Sequence, residues 1–199
     1  MTKTNASRAA LLVVHLQGDI VSEGTAFGTL FAPEVKARNV LDRCNEAMRA
    51  VRDAGGLVVL LRIAFAPDYS DLRPTLPLLQ LVVEADCLKD GTPGGALVEQ
   101  IEVSPDDVVL AHQRPGPFTD SDLRGILQHH SIETVAVCGV ATNASVESAV
   151  RQASDLGYRT LVVSDASSAA DAETHEASLA SMGLFATVVT TEELGAALC

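Results

Sequence analysis

The chain has 199 residues, enough for one domain (1–199) with a full core, and its 47% hydrophobic and 20% charged residues exclude a disordered or low-complexity scaffold. Aromatic residues make up 4% with no Trp, so the core must be built from Val, Leu, Ala and Ile. A net charge of −12 speaks against nucleic acid or an anionic membrane as partner, because both call for a basic surface.

Ala9 to Val14 is an apolar, β-branched run and reads as the first strand. It is too short for a signal peptide or a membrane span, and it stops at the polar cluster His15-Leu-Gln-Gly-Asp19. Residues 20–33, with Gly24, Gly28 and Pro33, read as a loop. Glu34 to Ala54 carries apolar residues near a 3.6 period and closes on Gly55-Gly56, which predicts a helix with a glycine stop. Leu57 to Leu61 predicts a second buried strand ending at Arg62, followed by a long connection over 63–75. A short helix over 76–84 and a glycine-rich loop over 88–95 lead to a third strand, Asp107 to Ala111, that ends at His112. After the rigid turn Gln-Arg-Pro-Gly-Pro-Phe comes a helix over about 121–129. Val135 to Cys138 is the fourth strand, turning at Gly139 into a helix opened by the good N-cap types Thr142 and Asn143. Strands over 159–164 and 186–189 alternate with helices over 173–182 and 192–198.

Six short apolar strands alternating with helices specify an α/β domain whose mostly parallel sheet is covered by helices on both faces. Ligands in such sheets bind beyond the carboxyl ends of the strands, near the point where strand order reverses. That rule selects His15, His112 and the turn from Gly139 to Ser145, which follow strands one, three and four. Ser145 falls at a helix N-terminus, where free N–H groups can hold developing negative charge. Taken alone, its plainer reading is a capping serine. Cys44, Cys87, Cys138 and Cys199 are far apart and form no CxxC pair, so they read as reduced thiols of a cytoplasmic protein without a disulfide frame or zinc site.

Three stretches together are recognisable: Leu11-Leu-Val-Val-His-Leu-Gln-Gly-Asp19, Val109-Leu-Ala-His-Gln-Arg-Pro-Gly-Pro-Phe118 and Gly139-Val-Ala-Thr-Asn-Ala-Ser145. With Asp155-Leu-Gly-Tyr-Arg159 and Val163-Ser-Asp-Ala166, their order and spacing resemble the isochorismatase-like (cysteine hydrolase) superfamily over nearly the whole chain. The resemblance implies a three-layer α/β/α sandwich with a six-stranded parallel sheet ordered 3-2-1-4-5-6, a cis peptide at Val140–Ala141, and assembly as a homodimer or homotetramer. It implies hydrolysis of C–N bonds in small amides, or of the vinyl ether of isochorismate. Amidases of the family use an aspartate after strand one, a lysine after strand three and a cysteine at the helix start after strand four.

At those positions this chain carries His15, His112 and Ser145. All three are catalytic residue types, and histidine is the commonest base for activating a serine hydroxyl. His15 is then expected within hydrogen-bond reach of Ser145, with the turn N–H groups around Val140, Ala141 and Thr142 as oxyanion site. His112 is a second acid/base or a substrate ligand. The best reading is serine-dependent amide or ester hydrolysis of a small molecule. Alternatives are acid–base chemistry without a covalent step, a non-catalytic small-molecule binder, or a structural partner in a larger assembly. No cofactor is called for. Two imidazoles fall short of the three or four ligands a metal requires, and residues 63–71 supply no further His, so no metal is expected. Asp19, Phe27, Arg62, Phe65, Tyr69, Arg114 and Phe118 lie on loops near the same rim and are candidate pocket residues. Arg62 and Arg114 are the natural carboxylate binders among them, and a buried ion pair is the alternative for Arg62. His129, His130 and His175 are expected at the surface.

Overall fold

A computed structural model describes residues 6–198. The expectation for Cys199 falls outside them. Six strands form one all-parallel sheet: β1 (Ala9–Val14), β2 (Leu57–Ile63), β3 (Val108–His112), β4 (Thr134–Val140), β5 (Arg159–Ser168) and β6 (Thr187–Val189). Their order is β3-β2-β1-β4-β5-β6, as the resemblance implies. β1 and β4 are buried at every position, the burial that continuous apolar runs predict for central strands covered on both faces. The outer strands β3 and β6 each keep partly or fully exposed residues.

The described residues form eight α-helices, α1 (Gly18–Val21, a single turn), α2 (Gly28–Ala37), α3 (Val40–Asp53), α4 (Pro77–Glu84), α5 (Leu123–His129), α6 (Glu147–Asp155), α7 (Ala172–Met182) and α8 (Thr191–Ala197), besides a 3-10 turn at Ala6–Arg8 and a π-helical turn at Thr142–Val146. Strand alternation sends Leu11, Val13, Leu60, Cys138 and Leu161 to one face, against Val40, Cys44, Ala47, Met48 and Val51 of α3 and Leu194 of α8. Leu12, Val14, Leu61, Val137 and Val162 face the other way, against Leu123 and Leu127 of α5, Ala149, Val150 and Ala153 of α6, and Leu179 and Met182 of α7. No helix among the described residues is long and apolar enough to cross a membrane.

The segment expected as one loop followed by one long helix is built differently. Helix starts at Gly28, contains Pro33, breaks at Arg38–Asn39 and restarts at Val40. Asn39 takes the left-handed conformation at φ 53°, which an Asn tolerates and which ends α2. Gly28 is no turn signal: a Cβ there would collide with the Ser22 carbonyl, so the glycine permits a close approach. Sequence punctuation cannot separate these two uses of glycine.

Strand order reverses between β1 and β4, which pair along Ala9–Val14 and Thr134–Gly139. Gly139 sits at φ 115°, and a Cβ there would strike the Val14 carbonyl oxygen. Only glycine lets the two central strands approach at the crevice where a ligand is expected.

Candidate active site

β1 is followed by His15, whose backbone is left-handed at φ 54° while its N–H donates to the Leu61 carbonyl at 3.0 Å. A non-glycine residue in that region is uncommon and carries strain, a condition that clusters at functional sites. β4 ends at the cis Val140–Ala141 peptide, and Thr142–Val146 then forms one π-helical turn before α6. The Ala144 and Val146 N–H groups fold back onto the Ala141 carbonyl at 3.1 and 3.2 Å. Thr142 and Asn143 make no side-chain cap, contrary to expectation, because the wide turn begins at Ala141.

His15, Val140, Ala141, Ala144 and Ser145 line one side of a cavity of about 70 Å³. Ile20 of α1, Phe27 and Phe31 before and within α2, Ile63 of β2, Leu78 and Val82 of α4, and Leu88 complete the wall. Phe27, a candidate from the sequence, lines this cavity, as do Phe31 and Leu78, which lie on segments that read as loop and plain helix. Among the described residues no group of three or more His, Cys, Asp and Glu side chains is arranged to hold a metal ion.

His15 does not bond Ser145. Its Nε2 lies 2.9 Å from Nε2 of His112, and the rings stack with centroids 4.9 Å apart. β3 is separated from β1 by β2, yet His112, level with Ile63 in the ladder, reaches across that strand to the residue that follows β1. His112 Nδ1 lies 2.8 Å from the Arg114 carbonyl, which can only accept, so Nδ1 carries the proton. In neutral His112 the Nε2 is then bare and must accept from His15 Nε2–H. His15 Nδ1 is left as an unprotonated nitrogen. Burial lowers both imidazole pKa values: that of His15 goes well below the usual range, with His112 adding to the effect, and that of His112 falls to about 4. The pair is neutral at pH 7.

Ser145 is buried, and no hydrogen-bond partner is found for its Oγ among the described residues. Behind the turn is a second polar cluster. His175, expected at the surface, is fully buried. Arg38 Nη2 lies 2.8 Å from its Nε2, and since a guanidinium only donates, His175 Nδ1 carries the proton toward Thr142 Oγ1 at 2.8 Å. Burial, with Arg38 beside it, pushes the His175 pKa down to about 4. Ser178 Oγ stands 3.2 Å from the Thr142 carbonyl and 2.6 Å from Glu147 Oε2, so α7 clamps both ends of the turn. The spacing of His175, Ser178, Leu179 and Met182 is a helical stripe, a signal from which the burial of His175 was readable. His129 and His130 are exposed.

Several expected pocket residues prove to be struts. Asp19 accepts the Leu88 N–H at 2.7 Å, Tyr69 Oη donates to the Cys87 carbonyl at 2.7 Å, and Arg62 donates to the Gly95 carbonyl at 2.8 Å and pairs with Asp90. All three hold the 87–95 segment that brings Leu88 to the cavity. Gln17, fully buried, joins them by bonding Ile63 N–H, the Ile63 carbonyl and the Gly95 carbonyl at 2.8–2.9 Å. Phe65 is buried in the core against Tyr69, Phe118 packs on Tyr158 over the opposite face, and the Arg114 side chain turns to Arg73 and Thr75. None of Asp19, Arg62, Phe65, Tyr69, Arg114 and Phe118 lines the His15–Ser145 cavity.

The isochorismatase domain model matches residues 9–193, a span that includes every element from β1 to the start of α8. The chain belongs to the isochorismatase family. It is 30% identical over 186 residues to the isochorismatase family protein YecD of Escherichia coli O157:H7, covering 90% of this chain and 89% of that one. It is 30% identical over 175 residues to a ureidoacrylate amidohydrolase of Methylorubrum extorquens, covering 81% of this chain and 70% of the relative. A crystal structure of a cysteine hydrolase from Pseudomonas syringae pv. phaseolicola shares the isochorismatase fold at TM-score 0.88 and 24% identity, over 100% of this chain and 95% of that one.

Proposed function

We propose that this isochorismatase-family chain hydrolyses an amide or ester bond of a small molecule, with Ser145 as nucleophile and His15 as its general base. The observation that carries the reading is the proton arrangement of the histidine pair, which leaves His15 Nδ1 unprotonated while His15 and Ser145 line the same cavity. In this scheme a Ser145 Oγ lone pair bonds to the carbonyl carbon while its proton passes to His15 Nδ1. The carbonyl electrons move onto oxygen, where N–H groups of the Ala141–Ser145 turn other than that of Ala144, which is committed to the Ala141 carbonyl, stabilise the oxyanion. Collapse breaks the bond to the leaving amine or alcohol, which takes the proton back from His15. Water then attacks the acyl-serine by the same route and restores Ser145. His112 accepts the His15 Nε2–H throughout and shares the transient positive charge. An imidazolium formed between apolar walls gives up its proton readily, which favours the acid half of the cycle. The relative named as an amidohydrolase supports hydrolysis as the reaction class.

One observation favours a second reading. The two imidazoles bond each other, and Ser145 Oγ has no partner among the described residues. There the pair moves a proton on the substrate without a covalent step, and Ser145 only donates a hydrogen bond. Short-chain p-nitrophenyl esters and small amides, followed by turnover and intact mass, separate the two. The first reading expects a burst and a mass increase on Ser145, both absent in Ser145→Ala. Undiminished turnover in Ser145→Ala without an adduct overturns it in favour of the second, and no turnover of any compound makes the chain a binder. The proposal includes assembly as a homodimer or homotetramer, which light scattering in solution tests.

A further inference from the structure

The cavity holding His15 and Ser145 has a chemical bias that goes beyond the choice of reaction. Among the described residues lining it there is no Lys, Arg, Asp or Glu. Its only polar side chains are His15 and Ser145, and the rest of the wall is aliphatic or Phe. The two arginines on neighbouring loops are committed elsewhere: Arg62 to Asp90 and the Gly95 carbonyl, Arg114 to the Arg73 carbonyl and Thr75. A carboxylate entering this space would shed its water and find no cation, which opposes burial of the charge. An apolar group has no such cost and gains from desolvation. At about 70 Å³ the cavity is roughly half the ~150 Å³ apolar cavity that holds benzene, so it suits a group of about three or four carbons.

We propose that the part of the substrate seated in this cavity is a short, uncharged aliphatic group attached to the reacting carbonyl, and that substrates bearing a carboxylate on that side are excluded. The inference rests on the reading of this cavity as the substrate site, but it concerns recognition and not the bond-breaking step. Phe27, Phe31 and Leu78 then act as specificity residues, closing the space around a branched or linear chain, and the turn from Val140 to Ser145 faces the carbonyl.

The test is ligand-observed NMR and calorimetry on the Ser145→Ala protein, comparing isobutyramide and butyramide with succinamate, which puts a carboxylate at the end of a similar chain. Isobutyramide or butyramide should bind at least tenfold more tightly than succinamate, and filling the cavity with Ala144→Phe should weaken that binding at least tenfold. A second cavity variant, Leu78→Trp at the α4 wall, should do the same and guards against a misfolded first variant. Equal or tighter binding of succinamate overturns the inference, as does amide binding that both variants leave unchanged. If the wild type binds isobutyramide without hydrolysing it or p-nitrophenyl isobutyrate, the nucleophilic reading fails while the substrate class stands. If it hydrolyses charged and uncharged acyl groups alike, the reverse holds.

Discussion

His112 offers a measurement of how strongly the fold holds its imidazole pair neutral. Its pKa is lowered from the ordinary 6.5 to about 4, chiefly by burial. Above pH 6.5 the group is neutral in folded and unfolded chains and has no effect on stability. As pH falls through the window from 6.5 to about 4, the unfolded chain takes up a proton that the folded chain refuses, so stability declines. The full loss below pH 4 is about 3 kcal/mol, and about 2 kcal/mol of it is already present at pH 5. Against a total stability of about 5–15 kcal/mol that is a large fraction. His15 and His175 act in the same direction. One proton can be shared along the His15–His112 hydrogen bond, but a second would set two N–H groups against each other, so the pair titrates as a unit. The experiment is urea unfolding between pH 7.5 and 5.0 on the wild type and on His112→Gln, whose amide oxygen can still accept from His15 Nε2. The variant should lose about 2 kcal/mol less than the wild type over that range. Equal slopes in the two proteins would refute the argument, because the imidazole would then be free to charge in the folded state.

Two further outcomes follow from the turn. Gly139→Ala should cost about 3 kcal/mol or more, or prevent folding, because the Cβ meets the Val14 carbonyl at a left-handed φ; soluble yield and the urea midpoint report it. His175→Ala should destabilise by about 2–4 kcal/mol, since it opens a void and leaves the buried Thr142 hydroxyl without its partner, while Arg38 keeps the Ser164 and Ser167 carbonyls; the midpoint is again the readout.

The sheet was legible because its signal is redundant. Six short apolar runs separated by helical segments admit few topologies, and β1 and the apolar stretch of β4 are buried at every position, as strands covered on both faces require. The three site positions were legible for a related reason, each being the first polar residue or turn beyond such a run. What side chains do once there was far less accessible. A histidine that must find one partner reads the same whether that partner is Ser145 or His112, and the choice is made by a crossing over β2 that no local pattern encodes. Arg62, Asp19 and Tyr69 were assigned to the ligand from their rim location. Their polar atoms are consumed by backbone groups of the 87–95 segment, a demand invisible until the chain is closed.

The contact between residues 15 and 112 ties the fates of two distant codons together. Lysine at 112 alone would press an ammonium against the neutral ring of His15, and aspartate at 15 alone would draw His112 into its charged form inside an oily enclosure. The first exchange leaves a buried cation with no counter-charge, whereas the second turns a neutral pair into an ion pair whose desolvation the mutual attraction must offset, so the outcome at either position depends on the residue at the other. Swaps at the two sites should therefore be engineered jointly.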